Sequence, residues 1–252
     1  MEEKDVLKAL KNAFHIAGAN EICQSAIHDV LGDRDNDIDW IKSHFSSLIE
    51  DVQIKAYDIY LEKEKPAAII AFNNVLKPLI PDNPTKDDLI KLLTNYFWVF
   101  DRFFLGLTQG RRPRAGKAFE YIIKYLFDKL DYPYTTQPII NGQPDFLLPN
   151  VDHFNQNPMD CIIFTVKRTL RERWRQITTE GTRGHLFYLA TIDENVGEKD
   201  LAEMLKNRIY LVVPTKIKKT KYCQYNNVIS FEIFFKQHLD PLMERWKSNG
   251  II

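Results

Sequence analysis

Between residues 115 and 247 this chain alternates short apolar segments with amphipathic ones, and that alternation limits the folds open to it. Ala115–Leu130 reads as a helix with Phe119, Ile122, Ile123, Leu126 and Phe127 on one face. Tyr134–Ile140, Asp145–Leu148 and Cys161–Val166 read as strands. A helix is expected from about Leu170, a strand over Leu186–Ile192 and a helix over Lys199–Asn207. Ile209–Val213 is a short apolar strand stopped by Pro214, and Phe231–Lys247 closes the chain as a helix. Strands interleaved with helices indicate an α/β domain built on a mixed central sheet.

The first part of the chain has a different character. Val6, Leu7, Leu10 and Phe14 follow the helical period, as do Ile38, Ile41, Phe45, Leu48 and Ile49. Further helices are expected near 53–63, 66–77 and 85–105, with a proline-rich break over residues 79–84 and Thr85 or Asp87 as the next N-cap. The character changes near Gly106–Pro113. The expected division is therefore a helical N-terminal domain over 1–109 and a second domain over 110–252.

Hydrophobic residues make up 44% of the 252, enough for a packed core. No apolar run approaches the roughly 18 residues that would span a membrane. The acidic N-terminus does not resemble a signal peptide, which fits a cytoplasmic protein. Cys23, Cys161 and Cys223 show no metal-ligand spacing and read as reduced, buried thiols. The formal net charge is zero, but it is divided unevenly. Residues 1–109 hold 12 Lys+Arg against 18 Asp+Glu, and residues 110–252 hold 22 against 16. A basic face on a neutral chain is enough to attract phosphate.

Two kinds of chemistry sit in the basic half. Pro144-Asp145 opens one strand and Lys167 ends another, with Glu180 further on. Carboxylates hold Mg²⁺ through hard oxygen donors, and a lysine beside them can act on water or on a phosphate. A carboxylate two residues before the lysine would project from the same strand face, but Thr165 stands there. Glu180 can supply the missing oxygen ligand, and Glu120 is a further acid for the outer part of the site.

Immediately beyond Lys167 lies Arg171-Glu172-Arg173. Arginine can donate two hydrogen bonds to guanine O6 and N7, and a carboxylate can accept from cytosine N4. The run suits two adjacent C·G pairs read from a helix N-terminus; alternatively, Glu172 pairs with a neighbouring arginine on an exposed face. Trp174 and Ile177 have the spacing of packing residues. Arg111, Arg112, Arg114 and Lys117 form a second basic cluster suited to backbone phosphate. Lys216–Lys221 is a basic loop, either solvated or touching phosphate.

The segments Arg114–Glu120, Pro144-Asp145-Phe146, Lys167 with Arg171–Gln176, Glu180 and Leu211–Pro214 together resemble type II restriction endonucleases of the EcoRII, PspGI and NgoMIV kind. The likeness covers roughly 110–215, and residues 1–109 lie outside it. It implies a restriction-endonuclease-like (PD-(D/E)XK) mixed sheet flanked by helices, following the all-helical N-terminal region. It also implies that Asp145 and Glu180 hold Mg²⁺, that Lys167 orients or activates water, and that Glu120 supports the site. Arg171, Glu172 and Arg173 would read C·G pairs in a palindromic double-stranded DNA target with CC and GG half-sites. A two-fold target implies a homodimer. The other readings are an inactive nuclease-fold DNA-binding protein, invited by Thr165, and a repair nuclease without base-specific contacts.

Overall fold

In the computed structural model of this chain, which describes residues 2–140, 142–170 and 187–252, six strands form one mixed sheet in sequence order. Numbered over the described residues, they are β1 (Thr135–Thr136), β2 (Phe146–Leu148), β3 (Ile162–Val166), β4 (Phe187–Ala190), β5 (Ile209–Val213) and β6 (Val228–Ser230). β1, β2 and β3 pair antiparallel, and β3 through β6 pair parallel. The helices are α1 (Glu3–Ala13), α2 (Ala19–Leu31), α3 (Ile38–Ser43), α4 (Phe45–Val75), α5 (Lys86–Asn95), α6 (Phe97–Lys129), α7 (Val151–Gln156), α8 (Glu198–Lys206), α9 (Thr215–Lys221), α10 (Phe231–Phe234) and α11 (Asp240–Ser248). Two compact units result: Met1–Ala26 with Ile54–Ala118, and Ile27–Gln53 with Phe119–Ile252.

The first unit is helical. Its core joins Val6 and Leu10 of α1 to Ala71 and Val75 of α4, Leu76 just beyond it, and Val99 and Phe103 of α6. Phe72 packs its ring near those of Phe100, Phe103 and Phe104. α5 starts at a capping box in which the Thr85 side chain accepts from Asp88 N and Asp88 accepts from Thr85 N. Of the two N-caps expected, Thr85 is therefore the one used.

The second unit packs the sheet on both faces. Strand alternation sends Leu147, Ile163, Leu189 and Leu211 to one side, where they meet Leu201 and Met204 of α8 and Ile217 of α9. The opposite side is aromatic. Phe127 of α6 lies 5.6 Å from Phe146 and 5.4 Å from Phe164, with Phe45 and Phe235 also against it. Both faces are covered, as a sheet with parallel strands requires.

Several elements depart from the sequence reading. Pro66 and Pro113 sit inside continuous helices, so the change expected near Gly106–Pro113 is not a break. An interior proline costs about 3 kcal/mol. The buried residues of α6 on either side, Val99 and Phe103 before it and Phe119 through Phe127 after it, offset that cost. Within Tyr134–Ile140 only Thr135–Thr136 forms a strand, and Ile140 makes an isolated bridge to Gly142: Gln137 has φ 45 and turns the chain away, and Pro138 has no N–H to donate. Lys216–Lys221 is helical rather than a loop, anchored by buried Ile217 and by Thr215 N donating to Ser46 Oγ at 3.0 Å. The closing helix is interrupted by a π-helical turn over Phe235–Leu239, just before Pro241. β6 was not anticipated. All three cysteines are free; Cys23 and Cys161 are buried as expected, but Cys223 is exposed. No helix among the described residues is long and apolar enough to cross a membrane.

Phe127 is fully buried at the centre of the aromatic face. Phe127→Ala should lower stability by about 3–5 kcal/mol in denaturant unfolding, the range for a large aromatic removed from a packed core.

Candidate active site

β2 and β3 run antiparallel with Phe146 opposite Phe164, which brings the residue before β2 beside the residues that end β3. The residue before β2 is Asp145, and the one after β3 is Lys167. Asp145 is only 9% exposed, and a buried carboxylate must be compensated by donors. Its Oδ2 accepts from Val166 N at 2.7 Å and from Lys167 Nζ at 3.2 Å. Its backbone carbonyl accepts from Gln137 N at 3.0 Å. Oδ1 accepts no hydrogen bond among the described residues.

Lys167 is fixed at its backbone and freer at its tip. Its N–H donates to Ala190 O at 2.9 Å, carrying the parallel β3–β4 ladder one step past the strand. Its side chain is 38% exposed, so the ammonium meets solvent on one side and Asp145 on the other. Thr165, two residues earlier, is buried at 3% and shares the alternating face of β3 with Ile163. A threonine hydroxyl is a neutral donor and acceptor, so it adds no charged metal ligand there.

The segment that follows Lys167 is secured by the turn that follows β4. Asp193 accepts from Leu170 N at 2.9 Å through one oxygen and from Asn195 N at 3.0 Å through the other. Thr191 Oγ1 donates to Arg168 O at 3.2 Å and accepts from Asp193 N at 3.1 Å. Tyr222 OH donates to Asp193 O at 2.9 Å and accepts from Val196 N at 3.0 Å. Leu170 itself is buried, which anchors the chain just before residue 171. None of these three supporting residues was singled out from the sequence. Thr191 and Asp193 at the end of an apolar strand are the signal that could have found them, because such side chains satisfy backbone groups in turns.

The other expected site residues fall in different places. Glu120 lies on α6 next to buried Phe119 and is itself partly exposed. Arg111 forms a two-bond ion pair with Glu64, with Nε to Oε1 at 3.1 Å and Nη2 to Oε2 closer still. Burial works to raise the Glu64 carboxyl, but Arg111 and Tyr60 outweigh it and hold the group below the usual carboxylate range. Arg114 donates to Ala17 O at 2.8 Å and lies over the Tyr60 ring. Arg112 and Lys117 are exposed. In the basic α9, Lys218 is tied to the carbonyls of Tyr222 and Tyr225, both at 2.8 Å. Arg171, Glu172, Arg173 and Glu180, with the packing residues Trp174 and Ile177, lie outside the described residues. Among the described residues no group of three or more His, Cys, Asp or Glu gathers as a metal site.

Comparison with known proteins bears on this arrangement. Residues 86–235 match the family model described as EcoRII C terminal. The type II restriction enzyme SsoII of Shigella sonnei is 27% identical over 185 residues, which span 69% of this chain and 59% of that protein. The type II restriction enzyme EcoRII of Escherichia coli is 35% identical over 120 residues, 45% of this chain and 30% of that one. The chain thus spans less than two thirds of the length of either curated relative. Among solved structures, metal-depleted Ecl18kI in complex with uncleaved DNA superposes with a TM-score of 0.82 at 24% identity, covering 98% of this chain and 86% of that one. The restriction endonuclease PspGI in complex with substrate DNA gives 0.63 at 22% identity, covering 92% and 94%. These likenesses show the fold expected from the sequence: a restriction-endonuclease-like mixed sheet flanked by helices, with a helical N-terminal region.

Asp193→Ala would leave the buried Leu170 amide without its partner. The expected loss is about 1–3 kcal/mol of stability in denaturant unfolding. Asp193→Asn keeps an acceptor and should lose less.

Proposed function

Because this chain belongs to the EcoRII C-terminal family, we propose that it is a Mg²⁺-dependent type II restriction endonuclease acting in the cytoplasm of a prokaryote. It hydrolyses both strands of double-stranded DNA at a palindromic site with CC and GG half-sites and leaves staggered 5′ ends. The single observation that carries the reading is the Asp145–Lys167 pair: a buried carboxylate, bonded through Oδ2 alone among the described residues, held against a lysine at the ends of adjacent strands.

The donor chemistry fits Mg²⁺, which takes hard oxygen ligands. Asp145 Oδ1 is open for it, and Glu180 is the second carboxylate that the family resemblance implies. Mg²⁺, when bound, would neutralise charge on the scissile phosphate and lower the pKa of water. Val166 N and Lys167 Nζ both bond to Oδ2, which fixes the carboxylate and leaves Oδ1 for the metal. The exposed side of the Lys167 ammonium orients the attacking water against the phosphate. That water attacks in line, and the 3′ oxygen leaves, giving a 5′-phosphate end. Glu120 supports the site from α6.

Arg171, Glu172 and Arg173 read the C·G pairs, and the Asp193–Leu170 bond sets where that run begins. Arg112 and Lys117, both exposed, are free to meet backbone phosphate; Arg111 and Arg114 would have to leave Glu64 and Ala17 to do so. Reading a two-fold target requires two copies of the run, hence a homodimer. The functional division places helical support in 1–109 and catalysis in 110–252.

One observation favours a second reading, an inactive DNA-binding protein on the same fold. Thr165 occupies the strand position where a second carboxylate would face the site.

Asp145→Ala and Lys167→Ala should each abolish cleavage of plasmid DNA in Mg²⁺ while a mobility-shift assay still detects target binding. Either variant cutting at the normal rate would sink the assignment. Arg173→Ala should weaken target binding by about 1–3 kcal/mol if its guanidinium pairs with guanine, with little change on random DNA. Equal losses on both DNAs would reduce Arg173 to a phosphate contact.

A further inference from the structure

Arg168 directly follows Lys167 at the carboxyl end of β3, and it is exposed. Lys167 turns its ammonium to Asp145. Arg168 turns its guanidinium to α4, where Nε donates to Gln53 Oε1 at 3.3 Å. Gln53 Nε2 donates to Ile49 O at 3.3 Å, one turn back along α4, which fixes the amide with its oxygen toward Arg168. The Arg168 backbone is held as well, because its carbonyl accepts from Thr191 Oγ1 at 3.2 Å. Arg168 is therefore oriented from both ends.

The place of Gln53 is set by the sheet. Ser46 Oγ, near the start of α4, accepts from Thr215 N just past β5, and Gln53 meets Arg168 just past β3. The seven residues from Ser46 to Gln53 rise ~10.5 Å along a helix, and two strand spacings span ~9.6 Å. The start of α4 thus crosses the carboxyl ends of β5, β4 and β3 in step with their spacing.

The charge of the group it meets separates Arg168 from Arg111. Arg111 gives Nε and Nη2 to the Glu64 carboxylate, which offsets its charge. Gln53 is neutral, so it orients Arg168 and leaves the positive charge in place. It also takes Nε alone. The opposite edge of the guanidinium, Nη1 with Nη2, has no partner among the described residues, and such an edge matches two oxygens of a phosphodiester.

We propose that Arg168 binds a DNA phosphate adjacent to the scissile one and that Gln53 is its positioning residue, an inference that rests on the nuclease reading above. Successive phosphates of one strand lie ~3.4 Å apart along the duplex axis, and successive Cα atoms lie ~3.8 Å apart. Consecutive residues can therefore serve consecutive phosphates, Lys167 at the one that is cut and Arg168 at its neighbour. Holding the neighbour keeps the strand in place while water attacks.

The test uses a synthetic duplex built on one site that the wild type cuts, with binding measured in EDTA so that the duplex stays whole. Arg168→Ala should weaken binding roughly 10-fold and reduce the slope of log affinity against log salt by about 0.9, the share of one phosphate. A neutral methylphosphonate at one of the two phosphates flanking the scissile position should cost the wild type the same factor and cost Arg168→Ala nothing further. Arg168→Lys should restore the slope but only part of the affinity, because an ammonium lacks the two-donor edge. Gln53→Ala should keep the slope and lose about 3-fold in affinity, since the charge stays and its orientation is lost.

A wild type that cuts normally, beside an Arg168→Ala variant with an unchanged slope and additive losses on the methylphosphonates, would overturn the inference and leave the nuclease reading standing. A wild type that cuts no DNA would end both together. Unchanged affinity in Gln53→Ala, with Arg168→Ala behaving as expected, would overturn the positioning role of Gln53.

Discussion

The bond from Val166 N to the Asp145 carboxylate joins the fold to its chemistry. Burying a carboxylate at 9% exposure is costly unless donors replace the water it loses. The antiparallel register of β2 and β3 supplies those donors by bringing Val166 and Lys167 to Asp145. That register is itself fixed by the core, because Phe146 and Phe164 must both face Phe127. A slip of one residue would turn Phe146 toward the aliphatic face and Asp145 into the aromatic one. The aromatic packing therefore places the Asp145 carboxylate indirectly.

Parallel strands add a second convergence. β3 and β4 point the same way, so the segments that leave their C-terminal ends emerge side by side. One carries Lys167, Arg168 and Leu170, and the other carries Thr191 and Asp193. In open α/β sheets ligands bind beyond the carboxyl ends of such strands. Here the second segment holds the first by side-chain bonds to its backbone, at Arg168 O and Leu170 N. Residues 168–170 are thus anchored by strand pairing at Lys167, turn bonds and the burial of Leu170.

Much of this was legible in the sequence because it is written in local periodicity. Short apolar runs marked β2, β3 and β5, and the 3.6-residue pattern marked the end of α6. Asp145 and Lys167 stood out only in combination with Glu180 and Arg171-Glu172-Arg173, because a Pro-Asp followed later by a lysine is a weak signal by itself. What was not legible depends on distant packing. Pro66 and Pro113 signal breaks locally, yet both helices continue because buried residues on either side hold them. Lys216–Lys221 looks like a solvated run until Ile217 and Ser46 are seen to pin it. Arg111 and Arg114 looked available for phosphate, but Glu64 and the Ala17 carbonyl already occupy them. The Thr191–Asp193–Tyr222 network joins three separate stretches of chain, and no spacing rule connects them.

Asp145 and Lys167 are proposed to serve sequence-specific DNA hydrolysis. Incubating the purified protein with phage DNA and Mg²⁺, then sequencing the fragment ends, tests it most directly. The expected result is discrete fragments whose ends share one palindromic sequence containing CC and GG, with no cutting when EDTA removes the metal. Intact DNA under conditions where the protein binds its target tightly, or fragments with random ends, would contradict it.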